Sequence, residues 1–143
     1  MADASLMTAG PNSKLVSSRK ILDKVREEKR AVAALNFYNA ETLRGHINAA
    51  RALSAPLILQ TTESTINYLG IGMAVAMAKA AAAELDQPVA LHLDHGASYE
   101  LAARCVDAGY TSVMIDGSKL SFRDNCHLTQ RVVRLAHQAG VAV

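Results

Sequence analysis

The groups with useful chemistry in this chain stand at the end of an apolar run. Residues 88–96 read PVALHLDHG, so Asp94, His95 and Gly96 follow a segment typical of a buried strand. A carboxyl group can transfer protons, and a neutral imidazole is a common metal ligand. Neighbouring strand residues point to opposite faces, but Gly96 eases a turn in which both side chains reach one cavity. The triplet indicates a catalytic or metal-binding site, and the competing interpretation is a capping aspartate beside a packed histidine.

A second run repeats this pattern further along the chain. Residues 112–118 read SVMIDGS, and Asp116 follows their apolar part. A carboxylate there could bind a cation or cap the following turn. His92 lies three residues before His95, a spacing that allows a second metal ligand, but its place inside the apolar run favours a hydrogen-bonded core histidine. The remaining histidines fall in helical stretches, where a structural or solvent-facing role is expected: His46, His127 and His137.

The elements that must position these groups alternate along the chain. Apolar runs predict strands at residues 31–35, 57–60, 88–93 and 111–115, with helical stretches between and after them. A first helix, with Ser17 and Ser18 as candidate caps, precedes the first strand, and residues 61–68 are predicted as a loop. A helix over 70–85 is expected to bury Met73 and Met77, and residues 141–143 predict the start of a fifth strand.

Local signals fix several helix ends. Asn39 and Ser98 are candidate N-caps, and Ser121 with Asp124 three residues later resembles a capping box. Gly109 stands where a left-handed C-cap residue belongs.

The alternation of strands and helices predicts an α/β fold with a parallel sheet and right-handed crossovers. Two architectures fit: a doubly wound open sheet, or part of a (β/α)₈ TIM barrel. The first strand is not followed by G-x-G-x-x-G, which weakens a dinucleotide-binding sheet. In a barrel, catalytic groups come from the carboxyl ends of several strands. Such ends carry Asn36, Gln60, Asp94, His95 and Asp116.

Bulk properties exclude several classes of partner. The 143 residues carry a formal net charge of only +2, without a basic run, so no nucleic-acid or membrane partner is expected. Residues 1–14 lack the order of a signal peptide and are predicted to be a flexible lead-in. Cys105 and Cys126 do not form a disulfide framework and are expected to be reduced and partly buried. We expect a cytoplasmic protein that acts on a small molecule.

Taken together, the motifs resemble those of class II ketose-bisphosphate aldolases, with the fructose- and tagatose-bisphosphate branch nearest. The resemblance covers residues 15–143 and rests on Asn36-Phe37, on residues 56–60 with the hydroxyl-rich loop after them, and on the two runs above. It implies the N-terminal half of a (β/α)₈ barrel, with four βα units after an N-terminal helix. It also implies a lyase of carbohydrate metabolism, including glycolysis. The reaction is the reversible, zinc-dependent aldol cleavage of a ketose 1,6-bisphosphate to dihydroxyacetone phosphate and glyceraldehyde 3-phosphate.

The resemblance also assigns roles to residues of this chain. Asp94 matches the catalytic proton donor, His95 matches one of three zinc histidines, and Asp116 matches a ligand of a second, divalent or monovalent, cation. A phosphosugar substrate and a homo-oligomer are implied as well. In relatives, two further zinc histidines, a glutamate of the second cation site and the phosphate-binding loops follow the point that corresponds to Val143.

Because a catalytic zinc needs about three protein ligands, these 143 residues alone are expected to be inactive. Two alternatives stay open. One is a non-catalytic half-barrel that assembles with itself or with a partner chain. The other is a different phosphosugar enzyme on a doubly wound sheet.

Overall fold

The computed structural model describes residues 15–143, and the predicted lead-in over residues 1–14 lies outside the described residues. Helices and strands alternate as expected. The helices are α1 (Ser18–Glu27), α2 (Ala40–Leu53), α3 (Glu63–Leu69), α4 (Ile71–Ala83), α5 (Tyr99–Ala108) and α6 (Phe122–Gln138). The strands are β1 (Ala33–Asn36), β2 (Leu57–Thr61), β3 (Val89–Gly96) and β4 (Ser112–Ile115).

The four strands form one parallel sheet in the order β1-β2-β3-β4. A doubly wound sheet would reverse its strand order at a switch point, whereas each strand here pairs with the next one along the chain. Ala142 continues this progression through a parallel bridge to Ser112 on the free side of β4, as expected for the start of a fifth strand. The sheet is therefore a consecutive portion of a (β/α)₈ barrel, and the prediction of a partial barrel is confirmed.

Alternate strand residues point to opposite faces of the sheet and pack in two separate hydrophobic clusters. Leu59, Leu91 and Val113 are fully buried and belong to the larger cluster, which the helices α2 to α6 complete. Ile58 and Ala90 face the other way and pack against α1. The helix α1 thus covers part of the face of the sheet that a closed barrel turns inward, around Ile58 and Ala90.

The cap residues read from the sequence act as expected. The side chains of Asn39, Ser98 and Ser121 each accept a hydrogen bond from a backbone N–H in the first turn of their helix. Gly109 ends α5 with φ +102°. Ser17 occupies the N-cap position of α1, but its side chain makes no capping hydrogen bond.

Two local predictions are wrong. The stretch predicted as a loop over residues 61–68 contains α3, because the Thr62 side chain caps the backbone N–H of Thr65 and Ile66 is buried against the core. Met73 is 56% exposed and does not join the core, whereas Met77 is partly buried against the core as expected. The buried face of α4 is built from small residues instead, including Ala74 and Ala78. Small side chains let this helix lie close to the sheet.

Over residues 15–143, no single helix is long and apolar enough to cross a membrane; α3 and α4 meet the criterion only as a pair bent by 96°.

Candidate active site

The end of β3 carries an irregularity that turns two adjacent side chains toward one place. Leu93 pairs with Val113 and Gly96 pairs with Ile115, so three steps along β3 match two along β4. His95 absorbs the extra residue with φ +51°, in the left-handed region that non-glycine residues rarely adopt. As a result, His95 Nε2 lies 3.9 Å from Asp94 Oδ1, although strand neighbours normally diverge. The expectation that both side chains reach one site is met by this bulge.

Gly96 has a different role from the one expected. The positive φ falls on His95, and Gly96 is not among the described glycines with positive φ. Its requirement is steric, because a Cβ atom here would lie 2.6 Å from the Met114 carbonyl oxygen and 2.7 Å from Leu93 Cδ2. Glycine therefore permits the close approach of β3 to β4 beside the bulge.

His95 and Asp116 are joined across β3 and β4. His95 Nδ1 lies 2.8 Å from Asp116 Oδ2, and the backbone N–H of Ser118 donates to Asp116 Oδ1 at 3.0 Å. Hydrogen bonds from Ser118 and His95 hold the pKa of Asp116 well below its usual range. The hydrogen bond to Asp116, followed by the charge of Asp94, raises the pKa of His95.

This arrangement fixes the proton on the neutral His95 ring. An ionised carboxylate only accepts hydrogen bonds, so His95 Nδ1 must carry the proton that it donates to Asp116. The lone pair is then on Nε2, which faces the Asp94 side. A carboxylate behind the imidazole is the usual way in which a protein orients a metal-binding histidine. The geometry leaves Nε2 available as a ligand.

The Asp94 side chain is held by a residue of β1, two strands away in the sheet. This side chain is 17% exposed, and Asn36 Nδ2 donates to Asp94 Oδ2 at 3.2 Å. The Asn36 backbone oxygen in turn lies 3.0 Å from His46 Nε2, which gives His46 a structural contact. Gln60 lies in register between Asn36 and His92, without a described contact to Asp94. Of the five predicted strand-end residues, four are joined in two hydrogen-bonded pairs.

His92 belongs to the interior, as expected. Its Nδ1 lies 2.8 Å from Ser112 Oγ, and Ser18 Oγ donates to the same oxygen at 2.8 Å. Burial lowers the pKa of His92 and favours the neutral ring. The sequence analysis did not find the contact between Ser18 and Ser112, because it joins positions 94 residues apart.

A cleft of about 330 Å³ opens beside His95 and Asp116, with Ser118, Lys119 and Leu120 in its lining. The hydroxyl-rich segment after β2 lies elsewhere, and Thr62 Oγ1 bonds to Ser64 Oγ at 2.8 Å at the start of α3. These hydroxyls therefore satisfy each other and the helix cap.

The metal-ligand set is incomplete within the described part of the chain. Among residues 15–143, no group of three or more His, Cys, Asp or Glu side chains is placed to hold a metal ion. A catalytic zinc takes three protein ligands and an open position, and His95 supplies one of them. The described residues alone do not fit a catalytic zinc.

Polar groups gathered at the carboxyl ends of consecutive parallel strands define the active-site edge of a (β/α)₈-barrel enzyme. The family model described as fructose-bisphosphate aldolase class-II matches residues 16–143, and the chain belongs to this family.

Relatives agree with this assignment. The chain is 46% identical over 130 residues to the fructose-bisphosphate aldolase of Helicobacter pylori. This alignment covers 90% of this chain and 42% of that protein. It is 40% identical over 129 residues to the D-tagatose-1,6-bisphosphate aldolase subunit GatY of Klebsiella oxytoca. This alignment covers 90% of this chain and 45% of the GatY subunit. The crystal structure of the YdjI aldolase from Escherichia coli K12 superimposes with a TM-score of 0.81 at 29% identity, over 90% of this chain and 51% of that chain. The chain thus spans about half the length of the proteins it matches.

Proposed function

We propose that this chain supplies part of the active site of a zinc-dependent class II aldolase. Such an enzyme cleaves a ketose 1,6-bisphosphate reversibly to dihydroxyacetone phosphate and glyceraldehyde 3-phosphate. The observation that carries the proposal is the convergence of Asp94, His95 and Asp116 at the carboxyl ends of β3 and β4. Membership of the aldolase family supports the reaction class, and the names of the fructose and tagatose relatives support a phosphosugar substrate.

Asp94 is the group proposed to move the proton. Asn36 donates a hydrogen bond to Oδ2 of Asp94, and the other oxygen, Oδ1, lies 3.9 Å from His95 Nε2. A carboxyl group held this way can exchange a proton with the substrate hydroxyl as the carbon–carbon bond breaks or forms. Its partial burial excludes bulk water from one side and keeps the group oriented.

His95 is proposed as one zinc ligand through its free Nε2. In a complete site, a zinc ion held in part by His95 would supply Lewis-acid stabilisation of negative charge on the substrate oxygens. The other ligands are proposed to come from outside the described residues, since these supply one. A sample that contains these 143 residues alone is therefore proposed to be inactive and to bind zinc weakly.

Asp116 is proposed to position His95, because its Oδ2 accepts the hydrogen bond that fixes the imidazole. The second-cation role that the family resemblance implies stays a prediction for the same carboxylate.

The test is a chimera in which residues 1–143 replace the matching segment of the Helicobacter pylori aldolase. Aldol cleavage of fructose 1,6-bisphosphate by this chimera is expected, and Asp94→Ala should lower kcat by about 10²- to 10⁴-fold, the usual worth of a general acid–base. Asp107→Asn, on the exposed side of α5, is the matched control and should leave kcat unchanged. Near-normal turnover by the Asp94→Ala chimera would overturn the assigned role.

The chain alone provides a second test. Purified residues 1–143 should show no aldol cleavage and no stoichiometric zinc by equilibrium dialysis. Tight one-to-one zinc binding with turnover would contradict the proposal that further ligands are needed.

The second candidate function is a half-barrel that assembles with itself or with a partner chain. It is favoured by apolar side chains that are exposed in the structure. Phe122 is 85% exposed and Val143 is 45% exposed, and the strand residues Ala33 and Ala34 of β1 are exposed as well. Burial of these apolar groups would favour a homo-oligomer. Light scattering at several concentrations decides the matter: a single defined oligomer supports assembly, and a monomer or an unlimited aggregate argues against it.

A further inference from the structure

A second cleft opens at the end of the sheet opposite Asp94, His95 and Asp116. Pro56 and Pro88 line it, and these residues directly precede β2 and β3. Its volume is about 440 Å³, compared with 330 Å³ for the cleft beside His95. Because the eight residues of β3 span about 25 Å, a small ligand at one end does not reach the other. The two clefts are separate sites.

The walls of this cleft are apolar and its rim is cationic. Val16 and the two prolines contribute partly exposed apolar surface, and Lys20 and Lys24 of α1 stand one helical turn apart beside them. Residues at positions i and i+4 lie on the same helix face, so the two ammonium groups project from one side of α1.

The two lysines are not neutralised within the described part of the chain. Neither Lys20 nor Lys24 forms an ion pair with another residue of 15–143, and Asp86, the acid in the lining, pairs with neither of them. Elsewhere on α1, Arg19 lies 3.6 Å from Asp23, so the one recorded ion pair within the helix does not involve either lysine. A pair of uncompensated cations above an apolar wall complements an anion that carries an apolar body.

We propose that this cleft binds a small organic anion, with its acidic head between Lys20 and Lys24 and its apolar body against Val16, Pro56 and Pro88. Inorganic anions would leave the apolar wall exposed, and neutral apolar molecules would leave the lysines unmatched. The site is distinct from the edge that carries the aldolase residues, so its ligand is a molecule other than the phosphosugar. This inference does not depend on the proposed function.

The probe for the test is 8-anilinonaphthalene-1-sulfonate, an aromatic sulfonate, titrated into the full chain and followed by fluorescence. Lys20→Ala/Lys24→Ala should weaken its binding by at least about tenfold, because two charge-assisted contacts are lost. The matched control is Lys79→Ala/Arg134→Ala, which removes the same charge from exposed positions on α4 and α6 and should bind as the wild type does. Neutral N-phenyl-1-naphthylamine should bind more weakly than the sulfonate and be indifferent to both double substitutions.

Backbone amide shifts locate the probe independently of the variants. On addition of the sulfonate, the amides of Lys20, Lys24 and Gln87 should move, and those of His95 and Asp116 should not. Equal affinity of the wild type and the Lys20→Ala/Lys24→Ala protein, or shifts confined to the edge near His95, would overturn the proposal. Binding of the neutral compound as tightly as the sulfonate would also overturn it, since the rim charges would then have no role.

Discussion

His95 Nδ1 lies 2.8 Å from Asp116 Oδ2, and this contact joins the ends of two neighbouring strands. The partner of the imidazole is thus a carboxylate with a strongly lowered pKa, so the ring donates rather than accepts. The tautomer of His95 is a direct consequence, and it decides which nitrogen can bind a metal.

The first prediction concerns that tautomer. In the wild-type chain, at a pH where the His95 ring is neutral, the proton should reside on Nδ1. Asp116→Ala removes the acceptor and should shift the population toward the Nε2–H form. Long-range ¹H–¹⁵N correlation spectra of the histidine rings distinguish the two forms. His92 serves as the internal control, because Ser112 is its partner and its spectrum should not change. A wild-type His95 ring protonated on Nε2 would refute the arrangement.

The second prediction concerns the packing of Gly96. Gly96→Ala places a methyl group 2.6 Å from the Met114 carbonyl oxygen, so β3 and β4 must separate locally. The expected loss is about 1–3 kcal/mol of unfolding free energy, as for other overpacked sites. Gly72→Ala is the control, because nothing lies within 4 Å of the added Cβ and the residue is inside α4. That variant should be neutral or more stable by up to about 1 kcal/mol. Urea unfolding of both proteins gives the comparison, and equal stability of the two variants would contradict it.

The third prediction is a pH dependence at the contact between α2 and α4. Glu84 accepts hydrogen bonds from Arg44 at 2.6 Å and from Arg51 at 3.1 Å, which lower its pKa from the usual 4.5. Since the folded pKa lies below the unfolded one, the carboxylate stabilises the fold fully above pH 4.5, and this contribution disappears as the pH falls through the folded value.

Glu84→Gln should therefore be less stable than the wild type at pH 7, and the difference should shrink at pH 3. Because all three side chains are partly exposed, the effect should be small and should weaken in high salt. Thermal unfolding across this pH range measures it. A difference that grows toward acid pH would have the wrong sign.

The fourth prediction separates the two cysteines by their reactivity. Cys105 is fully buried, and burial raises the pKa of its thiol to about 12, so almost no thiolate exists at neutral pH. Cys126 is partly exposed on α6. Iodoacetamide at pH 8 should modify Cys126 first and reach Cys105 only as the chain unfolds. Mass spectrometry of the wild type and of Cys126→Ser checks this order, and rapid labelling of the folded Cys126→Ser protein would contradict it.

Local signals predicted what depends on local chemistry. The caps at Asn39, Ser98 and Ser121 could be found because a cap and its acceptor lie within one turn. The same reasoning missed α3, a seven-residue helix whose stability comes from the tertiary burial of Ile66. Hydroxyl-rich residues at its start are typical of loops and of caps alike, so sequence alone does not separate the two cases.

For the candidate site, the sequence predicted which residues belong to it but did not predict the contacts between them. Its members were predictable because parallel strands deliver their last residues to one edge, so Asn36, Asp94, His95 and Asp116 could be grouped without a structure. Their connections were not. The bulge places the positive φ on His95 rather than on the adjacent glycine, and register shifts between two strands have no signature in either strand alone.

The position of α1 has a consequence for the order in which the chain folds. This helix precedes all four strands in the chain, yet its partners Ile58 and Ala90 belong to β2 and β3. Its Ser18 hydroxyl also reaches Ser112 in β4, which is made later still. The contacts of α1 with the sheet can therefore form only after β2, β3 and β4 have been synthesised. We expect the docking of α1 to be a late, long-range step in folding. Pairing of β1 with β2 and of β2 with β3 needs shorter loop closures and comes first.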